Sequence, residues 1–263
     1  MKRILILIFV IFLTTASLFV YILFPYYQPT KTRSSYAIPL IPCDDTLRVL
    51  FIGDSWAAYH NCHDSALAEI ITQNIMTPCK VKSVGYVGAK SKEIYSRLFT
   101  DTKPYICEHP DYCIISAGIN DAVAKMGDNY YTENYVQIIH FLLSNDIIPV
   151  VIDMPNIDYE AVFKREGLLS NLRHILSSII TRSELYSFQS YRAQLRKVII
   201  QYGWKDSVVY VNSQKWCSGD IQQSLYRTDG VHLNISGYKK LDTCLAKEIA
   251  IHYFRRSKRQ SLR

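Results

Sequence analysis

The chain has 263 residues, 49% of them hydrophobic and 20% charged, with a formal charge of +7. That length suits one α/β domain plus an appended segment, with a core large enough to need no metal or disulfide staple. No repeat or low-complexity tract appears, which excludes solenoids and propellers. The lack of zinc-finger spacing, a helix-turn-helix signature or an aromatic-basic RNA motif argues against a nucleic-acid partner.

Met1-Lys2-Arg3 precedes an uncharged, mostly apolar run from Ile4 to Phe24. At about 1.5 Å per residue, some 20 residues cross a bilayer core. A cleaved signal peptide has a shorter apolar stretch, about 7–15 residues, closed by a small-residue cleavage site. Here Thr14, Thr15, Ala16 and Ser17 lie mid-run, apolar residues resume through Phe24, and Tyr26 and Tyr27 follow where interfacial aromatics belong. An uncleaved signal anchor over 1–24, with residues 4–24 in the membrane, is the favoured reading; a cleaved signal peptide is the alternative. Lys2, Arg3 and the amino terminus before the span narrowly outweigh Lys31 and Arg33 after it, so the main domain is expected on the extracytoplasmic side, as in a bacterial envelope protein.

A Pro-rich linker is predicted over 25–46, carrying Pro25, Pro29, Pro39 and Pro42. Leu47–Ile52 is an apolar run closed by Gly53, the pattern of a buried parallel strand. A helix follows over 65–75, a strand over 79–84, a helix over 91–99 and a strand over 112–116. The next helix, 132–144, carries Tyr135, Ile138, Ile139, Leu142 and Leu143 on one stripe, and the β-branched run 147–152 is a fourth strand. Residues 156–186 break the alternation and read as an inserted element, with its best helix over 168–180. A helix over 187–201, a strand over 207–211 and a closing helix over 236–254 complete the domain, 47–254. The basic tail 255–263, with Arg255, Arg256, Lys258, Arg259 and Arg263, is expected to fray. Strand-helix alternation predicts a mostly parallel five-stranded sheet covered on both faces, with ligands beyond the strands' carboxyl ends. Seven cysteines without a CxxC pair leave at least one thiol unpaired within the chain and supply no zinc or thioredoxin-like motif.

Short polar motifs fall just past those strand ends. Gly53-Asp54-Ser55 places a serine after strand 1; a hydroxyl becomes a nucleophile only beside a base. Asp229-Gly230-Val231-His232 puts a carboxylate and an imidazole three residues apart, so that the first can orient the second. Gly118-Ile119-Asn120-Asp121 follows strand 3 with an amide donor, and Val87-Gly88 follows strand 2 with an unobstructed N–H. Each alone reads more readily as a turn or a helix cap. His60 and His63 have no third ligand nearby and are not read as a metal site.

Together, in this order, the four blocks resemble those of the SGNH (GDSL-like) hydrolase superfamily, over residues 47–254. The resemblance implies a flavodoxin-like three-layer α/β/α fold. It implies Ser55 as nucleophile with Asp229 and His232, and an oxyanion hole from Ser55, Gly88 and Asn120. It requires no cofactor and no metal. Trp56 stands where the family usually has Leu. Trp56, Tyr86 and Lys90 are candidate substrate contacts. The expected activity is that of a serine esterase removing an acetyl or other short acyl group from a cell-envelope carbohydrate or small ester. An O-acyltransferase with the same triad and a non-catalytic glycan-binding module are the rivals.

Overall fold

The computed structural model describes residues 2–38, 45–183, 188–217 and 224–260. Part of the predicted linker (39–44), the end of the insertion (184–186), the predicted helix start Ser187 and the last residues of the tail (261–263) lie outside them.

An N-terminal helix, α1 (Lys2–Leu23), precedes the domain. Then come β1 (Leu47–Gly53), α2 (Ser55–His60), α3 (Asp64–Ile75), β2 (Cys79–Gly85), α4 (Ser91–Arg97), α5 (Lys103–Ile106) and β3 (Tyr112–Ser116). They are followed by α6 (Ile119–Val123), α7 (Asp128–Leu143), β4 (Ile148–Ile152), α8 (Tyr159–Arg165), α9 (Leu168–Thr181), α10 (Gln189–Gln201), β5 (Val209–Val211) and α11 (Ile235–Gln260). The strands form one parallel sheet in the order β2-β1-β3-β4-β5. Helices α3 and α11 pack together, while α4, α7 and α10 form a second group. This is the expected three-layer α/β/α arrangement.

The chemistry of the strands explains their positions. Every residue of β3 and β4 is buried, as a parallel sheet covered on both faces requires. At the edge, β2 turns Lys80 and Lys82 to solvent, which discourages pairing with another chain. Strand order reverses between β1 and β3. The crevice beyond the carboxyl ends of these two strands is where ligands bind in open α/β sheets, and the polar motifs flank it.

The short helices α5 and α6 and the early start of α7 were not expected from the sequence, and three other elements also differ from it. Helix α2 begins at Ser55 because Asp54 caps it, its carboxylate accepting from the Trp56 N–H at 3.0 Å. Helix α11 continues through the basic residues to Gln260, where Arg259 reaches Asp206 at 3.3 Å. The described part of the linker lies on the domain: Ser34 N–H donates to the Tyr95 hydroxyl at 2.9 Å, and Gln137 donates to the Thr30 carbonyl at 3.0 Å. Cys62, Cys79, Cys107, Cys113, Cys217 and Cys244 are all free thiols.

Candidate active site

Beyond the sheet, the loop before α11 brings three side chains into a line. Ser55 Oγ lies 3.0 Å from His232 Nε2, and His232 Nδ1 lies 2.7 Å from Asp229 Oδ2. Ser55 is almost wholly buried, whereas the His232 and Asp229 side chains each keep 24% exposure, so the line opens to solvent at the histidine. Asp229 also accepts from the Val231 and His232 amides, both at 2.8 Å. Burial alone would raise the Asp229 carboxyl, but those amides and the imidazole outweigh it and hold the group below its ordinary range. A carboxylate fixed there selects the imidazole tautomer with Nδ1–H, leaving Nε2 to accept from the serine.

The loop is held by its own backbone. Arg227 N–H donates to the His232 carbonyl at 2.7 Å, Gly230 N–H to Arg227 at 2.9 Å, and Asn234 N–H to Leu225 at 2.9 Å. Outside the loop, Asp158 N–H donates to the Gly230 carbonyl at 3.0 Å, and Arg165 donates to the Asp229 carbonyl. The predicted insertion thus braces the Asp-His turn through α8. Sequence reasoning missed Asp158 and Arg165. The one available signal was the N-cap pattern at Asp158, whose carboxylate accepts from Ala161 N–H at 3.0 Å.

The neighbouring loops carry the candidate donors. Tyr86-Val87-Gly88-Ala89 is a turn closed by Ala89 N–H on the Tyr86 carbonyl at 3.0 Å, with Gly88 at φ +79° in its third position, where glycine is favoured. Gly88 is exposed. Asn120, in the first turn of α6, donates from Nδ2 to the Ala89 carbonyl at 2.9 Å, which ties the third motif to the second. An amide nitrogen has two N–H groups, so one remains for a ligand. Ser55, as the first residue of α2, has no carbonyl within the helix for its N–H.

Asp54 and Asp121 lock these loops. Asp54 accepts from Trp56 N–H and, at 3.1 Å, from Ser116 Oγ; Asp121 accepts from the Ser91 amide at 2.9 Å and from its hydroxyl. Burial pushes Asp54 up to about 7 and Asp121 up to about 6.

The candidate substrate contacts each have partners within the protein. Trp56 is 1% exposed; its Nε1–H donates to the Val231 carbonyl at 3.0 Å, and its ring packs on Trp216 and Tyr226. It lies beneath the Asp-His loop as a support. Tyr86 bonds Thr102 at 2.8 Å and stacks under Arg97, while Lys90 lies over Tyr26. His60 is fully buried and clamped between Asp242 (2.8 Å) and Asp64 (3.1 Å), so it lines no cleft.

The model of the GDSL-like lipase/acylhydrolase family matches residues 51–240, most of the chain and all four motifs. The chain belongs to that family. It is accordingly a serine hydrolase of the carboxylic-ester class. No curated relative matches the chain. Among solved structures, a lipase/acylhydrolase from Enterococcus faecalis is similar at 18% identity and a TM-score of 0.56, over 78% of this chain and 95% of that one. An acetyl xylan esterase is similar at 17% and 0.52, over 77% and 98%. An acetylxylan esterase from Geobacillus stearothermophilus is similar at 15% and 0.51, over 77% and 94%. At these identities they establish a shared fold. Within the family's α/β architecture, α1 stands apart as an apolar helix long enough to cross a membrane.

Proposed function

We propose that the chain is a serine esterase that removes an acetyl or other short acyl group from a carbohydrate. In this reading it is tethered by residues 4–24 and faces the outside of a bacterial cytoplasmic membrane. The observation that carries the catalytic part is the continuous relay of 3.0 Å from Ser55 to His232 and 2.7 Å from His232 to Asp229. Ser55 Oγ attacks the ester carbonyl while His232 Nε2 takes its proton. Asp229 keeps the imidazole in the required tautomer and stabilises its protonated form. The Ser55 and Gly88 N–H groups and the Asn120 amide receive the developing oxyanion; one such donor is worth about 2.7–4 kcal/mol in comparable sites. His232 then protonates the leaving alcohol. Water, deprotonated by the same histidine, releases the acid and restores Ser55.

The carbohydrate part is supported by the acetylxylan esterases among proteins of this fold. The tether is supported by α1, whose span Lys2–Tyr21 buries none of its apolar surface against the domain. The test is acetate release from acetylated xylo-oligosaccharides, with free sugar alcohols added as competing acceptors. The proposal expects free acetate that does not diminish as acceptor is added. Acetyl groups recovered mainly on the acceptor would overturn hydrolysis in favour of transfer.

A further inference from the structure

Helix α9 presents the wrong face to water for a soluble domain. Its apolar residues Leu168, Leu172, Ile175, Leu176 and Ile179 recur at helical spacing on one side, joined by Leu169. A surface helix normally turns such a stripe inward. Here the stripe points out: Leu169 is 83% exposed, Leu168 76% and Ile179 68%, while His174, Ser177 and Ser178 on the opposite side are buried. The polar side is fastened by specific bonds. Ser177 Oγ meets the Tyr27 hydroxyl at 2.8 Å, Thr181 Oγ1 donates to the Lys125 carbonyl at 2.8 Å, and His174 bonds Glu166.

The position of that stripe identifies its occupant. Tyr27, which holds Ser177, is itself buried among Met126 and Tyr130, with Leu23 at the end of α1 packed against them. The exposed apolar rod of α1 therefore leaves the domain at the corner where α9 is attached. Residues 168–181 contain no Asp or Glu, and Arg173 and Arg182 are exposed beside the stripe, as suits phosphate headgroups. From the same insertion, α8 bonds the Asp229-Gly230 turn, and Thr181 bonds Lys125, two residues beyond the Asn120-bearing helix.

We propose that α9 lies in the membrane interface with its apolar side among the acyl chains, seating the Ser55–His232 edge of the domain against the lipid surface. The proposal rests on the reading of α1 as a membrane span. It narrows the substrate class to esters held close to the bilayer, on membrane-proximal glycans or on lipid headgroups.

The test uses the full chain in lipid vesicles, as wild type and as Leu172→Trp and Ile179→Trp. Both substituted positions are exposed, so neither substitution disturbs the core. Flotation with the vesicles reports on α1; quenching by lipids brominated along the acyl chain reports on α9. After subtraction of wild-type quenching, the added indole at either position should lose about half or more of its emission, as expected for a face sunk in the acyl boundary. Chains that float but show no added quenching at either position overturn the in-plane seat and leave the anchor standing. Chains that do not float overturn the anchor and the seat together. Unquenched indoles, with an oxidative cross-link between two chains carrying Leu172→Cys that the wild type does not give, would assign the face to a second copy, which also overturns the proposal.

Discussion

Asp229→Asn separates two jobs that one carboxylate performs. Its Oδ1 accepts from the Val231 and His232 amides, and its Oδ2 accepts from the imidazole. Asparagine can keep the first job, because its carbonyl oxygen can face the two amides. It then presents an NH2 group to Nδ1, which must become the acceptor, so the ring proton moves to Nε2 and Ser55 loses its base. A tautomer reversal of this kind costs about 10⁴ in kcat in serine proteases, which is about 5.5 kcal/mol of barrier. Stability should change far less. Replacing charge-assisted bonds by neutral ones costs about 1–2 kcal/mol, and each kcal/mol moves Tm by about 2–4 °C at this size. The pH dependence has a defined sign. Because the folded Asp229 carboxyl is held below its unfolded value, its stabilisation is complete above the unfolded pKa and is lost as pH falls through the folded one. The Tm gap between wild type and variant should therefore close in acid. Thermal melts and p-nitrophenyl acetate turnover on the same preparations measure both effects. A folded variant that keeps kcat within about tenfold of wild type would refute the orienting role given to Asp229.

Three further outcomes follow from the packing. Gly230 sits at φ +69°, and a Cβ there would come within 2.7 Å of Asp158 Cβ, so Gly230→Ala should lose about 1–2 kcal/mol from backbone strain alone and displace the Asp-His turn. Melts and kcat should fall together; wild-type values for both would show that α8 does not press on the turn. Trp56→Phe strands the Val231 carbonyl, at a cost of about 1–3 kcal/mol, and should lower kcat with KM unchanged. A raised KM at constant kcat would instead make Trp56 a substrate contact. Asp54, pushed up to about 7 by burial, releases its proton later in the folded state than in the unfolded one, so stability should fall as pH rises between the unfolded carboxylate value and about 7. Asp54→Asn keeps an acceptor for Trp56 N–H and Ser116 and should make that slope shallower in melts across the window, leaving the part that Asp121 contributes up to about 6; an unchanged slope would place the titration elsewhere.

The sheet was legible because its inner strands are short apolar or β-branched runs closed by turns, as in Leu47–Gly53 and Ile148–Ile152. The candidate site was legible as three polar blocks at the ends of those runs and a fourth before the last helix, and Ser55, Asp229 and His232 do meet in space. What the sequence hid concerns direction and partners. Periodicity identified α9 as a helix with one apolar side, yet it cannot tell whether that side faces core or surroundings. It also cannot show that Trp56 spends its indole N–H on a carbonyl 175 residues away. The extension of α11 through a basic tail brings Arg259 to a remote partner, Asp206, that no local pattern reveals.

Fluorophosphonate labelling of the full chain, as wild type and Ser55→Ala, tests most directly whether Ser55 is the nucleophile. The account predicts a single covalent adduct on wild type, located by peptide mass at Ser55, with labelling and ester turnover both lost in the folded variant. An adduct that persists in Ser55→Ala, or a folded wild-type chain that neither labels nor turns over any short-chain ester, would contradict it.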